Sequence, residues 1–110
     1  DVIDWKLKLP RDAEHSILFA DVMGGQVFDK LLEICEVKLQ RIDHFQIVIL
    51  RYAREDRAQT GSSTPVLDRL IAGHPDRFHY FFIPLDYKKV HIKTVIADYG
   101  KYFTLGSSVF

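Results

Sequence analysis

Two residues near the end of the chain, His91 and Lys93, stand two positions apart in an apolar, strand-like run. Side chains two apart in a strand project from the same face, so an imidazole and an ammonium are expected side by side. Imidazole is a nucleophile and a proton carrier near neutral pH, and a fixed ammonium stabilises oxyanions. The pair suits chemistry on a phosphate. Asp98 closes the run, and Gly106-Ser107-Ser108 follow a second short run. Glycine permits close backbone approach and the hydroxyls of Ser107 and Ser108 can donate to an oxyanion. Asp98 has the opposite parity to His91. It is expected at the strand end, where it can bind turn amides or a nearby basic group.

These residues need a frame to hold them. Val90–Ala97 and Lys101–Leu105 read as two strands joined by a turn at Tyr99-Gly100, a hairpin that returns Gly106 alongside the start of the first strand. Upstream, Ser16–Val22 reads as a strand and Gly24-Gly25 as a break. Gln26–Gln40 reads as an amphipathic helix with a stripe of Phe28, Leu31, Leu32, Cys35 and Leu39. The run FQIVIL at 45–50 reads as a central strand covered on both faces. Arg51–Ser63 is polar and reads as a loop. Thr64, Pro65 and Gly73 bound a second helix, with Val66, Leu67, Leu70 and Ile71 as its buried stripe. Arg77–Ile83 reads as an aromatic strand and Pro84–Lys89 as a turn. The alternation in Asp1–Pro10 suggests a short strand or a docking arm. Helical crossovers favour parallel pairing first and the short turn favours an antiparallel hairpin last. The expected fold is α/β, a mixed β-sheet flanked by helices.

The chain has 110 residues, enough for one small domain. Fifteen basic residues balance fifteen acidic ones, which argues against bulk-charge binding to nucleic acid or anionic membrane. No apolar run is long enough to span a bilayer. Cys35 is the single cysteine, so no internal disulfide can form, and its helical apolar position marks it as a core residue. His15, His44, His74 and His79 show no metal-ligand spacing with Cys35 or with one another. Arg51, Arg54 and Arg57 with Glu55 and Asp56 read as a solvated, self-compensating loop. The sharper alternative puts that loop over the strand ends, against a phosphate or head group. The chain starts at Asp1 without a methionine and stops at Phe110, just past the richest motif, so it is read as a piece of something longer.

The spacing His91-x-Lys93, four residues, Asp98, then Gly106-Ser107 resembles the HKD signature of the phospholipase D superfamily, H-x-K-x4-D-x6-G-S-x-N. Two departures stand out. Seven residues separate Asp98 from Gly106, and Val109 occupies the position of the family asparagine. The resemblance implies one half-domain of that fold, with the strand–helix–strand, serine-rich loop, short helix and strand of residues 16–83 in the matching layout.

It also implies a mechanism. Histidines of two motif copies face each other; one attacks phosphorus to form a phosphohistidine, and the other protonates the leaving alcohol and then activates water or a second alcohol. By that analogy His91 is nucleophile or acid, Lys93 grips the phosphate, Asp98 orients the motif, and Gly106, Ser107 and Ser108 contact substrate. No metal or other cofactor is implied. The implied partners are a phosphodiester, phospholipid head groups first, and a second motif in cis or from a homodimer. A nuclease is the alternative within the same chemistry, and zero net charge weighs against it. A catalytically inactive binding or assembly module is the alternative that Val109 favours.

Overall fold

The structure, a computed structural model, describes residues 7–22, 25–53, 64–84 and 93–106. It is a mixed α/β fold in which helices pack on a five-stranded mixed sheet. The elements are α1 (Lys8–Asp12), β1 (Ser16–Val22), α2 (Gly25–Arg41), β2 (Gln46–Ala53), α3 (Thr64–Gly73), β3 (Phe78–Pro84), β4 (Lys93–Ala97), a 3-10 turn (Asp98–Gly100) and β5 (Tyr102–Gly106). Strand order is β3-β2-β1-β4-β5. β1, β2 and β3 run parallel, with Ile17 beside Ile47 and Ile47 beside Phe78. β4 runs antiparallel to β1 and β5 antiparallel to β4. The parallel pairs are those joined through helices, and of the two antiparallel pairs β4–β5 is the one joined by a tight turn.

Period-two alternation decides which side chains meet the helices. Ile17 and Phe19 of β1, Ile47 and Ile49 of β2, Phe78 of β3, and Val95 and Ala97 of β4 share one face and are buried. Against them α2 lays Phe28, Leu31, Leu32, Cys35 and Leu39, its predicted stripe, all at most 2% exposed. Burial pushes the Cys35 thiol far up, since the thiolate would lose its hydration. α3 contributes Leu70, with Val66 and Leu67 partly buried. Ile71, expected in that stripe, is exposed instead, because the helix is tilted onto the core through its 66–67–70 flank.

Three local expectations need correction. Lys8–Asp12 is helical, not a strand; Pro10 falls in the first turn, where its missing N–H removes a donor that has no intrahelical acceptor. Residues 1–6 lie outside the described residues, as do 54–63 and the expected turn at 85–89. Arg51 does not begin a loop. It continues β2, paired with Asp21 and Phe82, and is 3% exposed. β2, expected to be covered on both faces, is covered by helices on one face among the described residues; on the other, Val48 and Leu50 are half-buried.

Basic side chains close the helix ends. Lys38 Nζ donates to the carbonyls of Arg11 and Ala13, each at 2.6 Å, tying α2 to the end of α1. Arg77 donates to the carbonyls of Leu39 (3.1 Å) and Ile42 (2.8 Å), where the last turn of α2 leaves acceptors without intrahelical donors. Arg69 of α3 holds Glu36 of α2 through Nε (2.9 Å) and Nη2 (2.7 Å).

Candidate functional site

Lys93 is the first residue of β4, half-buried, on the same face as Val95 and Ala97. Its hairpin partner is Gly106. The expected return of Gly106 to the start of the first hairpin strand is therefore observed. On the other side β4 meets β1, with Ala20 beside Thr94. Lys93 and Gly106 form one paired rung across β4 and β5, and Phe82, Arg51 and Asp21 form a paired row across β3, β2 and β1.

This row lies where the parallel strands β1 and β2 end and α2 begins, the edge at which open α/β sheets usually place their ligands. It is also where the apolar core gives way to charge. Asp21 is 4% exposed and Arg51 3%. Opposite charges at paired positions on neighbouring strands stabilise each other, and buried charges persist only when compensated. The Arg51 guanidinium lies 4.1 Å from the centroid of the Phe28 ring, a cation–π contact that fixes its plane. Phe28 belongs to the first turns of α2, so the helix start and the ends of two parallel strands are tied together.

Asp98 sits at the other edge. Five residues at about 3.3 Å each put it roughly 16 Å from Lys93, at the far end of β4, where its opposite parity to His91 led it to be expected as a binder of backbone amides. Its Oδ1 accepts hydrogen bonds from the backbone N–H groups of His15 (2.7 Å), Glu14 (2.9 Å) and Ser16 (3.3 Å). The Ser16 hydroxyl in return accepts from the N–H of Tyr99 at 2.8 Å. Partial burial pushes the Asp98 carboxyl up, but the amides of His15, Glu14 and Ser16 and the nearby His15 side chain outweigh it, so the net shift is below the ordinary aspartate value. The reciprocal bonds hold a costly turn: Asp98, Tyr99 and Gly100 have φ of 55°, 57° and 94°, a left-handed run that only glycine enters freely.

His91, Ser107, Ser108 and Val109 lie outside the described residues, as do Arg54, Glu55, Asp56 and Arg57. The sequence reading missed Asp21, and it placed Arg51 in a loop over the strand ends where the structure has it inside β2. The signal was present as parity: Ile17, Phe19 and Asp21, and Ile47, Ile49 and Arg51, each continue one buried face into a charge. It also missed a histidine contact. His15 Nδ1 and His44 Nε2 are 2.8 Å apart, 29 residues distant in sequence, because β1 and β2 start side by side.

No family model matches the chain, and no curated protein matches it significantly in sequence.

Proposed function

We propose that this chain supplies one half of a phospholipase D-type site, acting on the phosphodiester of phospholipid head groups. The observation that carries this reading is the pairing of Lys93 with Gly106: the lysine of the H-x-K element and the glycine of the G-S element occupy one rung at the charged sheet edge. In this reading His91 attacks phosphorus, a P–N bond forms, and the P–O bond to the leaving alcohol breaks. A histidine of a second motif gives that alcohol its proton. Lys93 holds the non-bridging oxygens, and Gly106, Ser107 and Ser108 complete the anion pocket. Water or a second alcohol then displaces His91 and releases the phosphoryl product.

Incubation with a labelled phosphodiester, in protein supplied with a second copy of the motif, tests this. The expected result is an acid-labile, base-stable phosphohistidine that disappears in His91→Asn. Identical labelling and turnover in wild type and His91→Asn would overturn it. Turnover of lipid but not oligonucleotide separates the lipid enzyme from the nuclease. Val109 favours the second reading, an inactive binding module, because an apolar side chain cannot supply the amide donor. Val109→Asn with a large gain in turnover would place the chain between the two, as an impaired enzyme.

A further inference from the structure

Beside its core stripe, helix α2 leaves Val37 exposed. With Ile34 and Ile42, both partly buried against the core, Val37 lines a groove of about 550 Å³ beside α1. Val37 is 44% exposed, at a position where a helix facing only water would carry a polar residue. The rim is basic: Lys30, Lys38 and Arg41, with Arg11 of α1, line it, and Glu33 is the one acidic residue among the described lining. The charges of α2 are segregated. Glu36 turns to α3, where Arg69 holds it, and Lys38 turns to α1, where the uncharged carbonyls of Arg11 and Ala13 hold it.

We propose that this groove docks an acidic amphipathic helix, through apolar anchors on Ile34, Val37 and Ile42 and carboxylates along the basic rim. This goes beyond the phosphodiester reading and uses none of its residues. Lys30 to Arg41 spans about 17 Å at 1.5 Å per residue, room for about three turns of a partner helix. That holds anchors at i, i+4 and i+7, which span about 10 Å and are the usual grip of a helix in a groove. Opposite charge on the two rims sets orientation and excludes basic partners. An anionic membrane is the weaker match. Membrane-surface helices raise their apolar residues as a crest, whereas here they line a groove between charged side chains.

The test uses a fluorescein-labelled helical peptide with Leu at i, i+4 and i+7 and Glu on the flanking positions, beside a counterpart with Lys for Glu. Anisotropy should rise saturably with the Glu peptide alone and fall off as salt is added. Val37→Glu should weaken binding at least tenfold. Lys30→Glu with Arg41→Glu should abolish it and transfer preference to the Lys peptide. All these positions are exposed, and circular dichroism checks that the variants stay folded. Absence of saturable binding, equal binding of both peptides, or indifference to these substitutions would overturn the proposal. So would association with phosphatidylserine vesicles, but not with the peptide, in the same assay.

Discussion

Asp98 concentrates three amide donors on one carboxylate oxygen, and charge-assisted bonds are the strong ones. Asp98→Ala should cost about 1–3 kcal/mol, and Asp98→Asn less, since an amide oxygen still accepts but carries no charge. Urea unfolding of the three proteins measures this. The pH dependence has a defined sign. The folded-state pKa is lowered, so the stabilisation is complete above about pH 3.9, the ordinary aspartate value. It is lost as pH falls through the depressed folded value. The melting temperature of the wild type should therefore decline below about pH 4 more steeply than that of Asp98→Asn; parallel curves would refute the anchor. At the opposite edge, the proposed phosphodiester chemistry predicts that Lys93→Met lowers turnover on the order of 100-fold with little change in melting temperature, because the proposal gives this half-buried strand-end lysine the task of meeting an oxyanion.

At the scale of elements, the β4–β5 turn and the Asp21–Arg51 rung make separate predictions. Tyr99 has φ 57° and is 71% exposed, so its side chain returns little for the left-handed backbone it occupies. Tyr99→Gly should stabilise by about 1 kcal/mol, read as a higher denaturant midpoint at unchanged slope. The rung lies inside the fold, and removing one of two buried opposite charges leaves the other uncompensated. Asp21→Asn and Arg51→Met should each cost about 3–5 kcal/mol. The double variant should cost less than their sum by at least about 1 kcal/mol, the signature of neighbours in a double-mutant cycle. Additive effects would mean that the two charges are balanced by other groups.

The whole molecule is asymmetric across its sheet. Among the described residues the helices and the core lie on one face. The other face presents Leu18, Val48, Leu50, Ile96, Phe81, Ile83 and Phe103, the last 61% exposed. Parallel strands are ordinarily covered on both faces, so this apolar face marks the sheet as only half clothed by α1, α2 and α3. No helix among the described residues is long and apolar enough to cross a membrane. Native-state hydrogen exchange should find the slowest amides in β1 and β2, which are paired on both edges and carry the fully buried Phe19, Ile47 and Ile49. Cys35 should resist alkylation at pH 8 until the chain unfolds, because its thiolate is disfavoured by burial and reagents do not reach it.

Local pattern determined most of the elements and the pairing of the last hairpin. The α2 stripe, the apolar run of β1 and the short turn after Ala97 are each readable within one stretch of chain, because period and turn length are local quantities. That Lys93 and Gly106 would meet followed from the same arithmetic. Only the tertiary structure decided which charges share an edge. Asp21 and Arg51 come from strands 30 residues apart, and Arg51 looks like the start of a polar loop until β2 is seen to continue through it. Asp98 was legible as a strand-end residue that binds backbone amides, but the pairing of β4 with β1 decided that those amides belong to residues 14–16. Long-range pairing sets which side chains become neighbours, and no periodicity within a single segment encodes it.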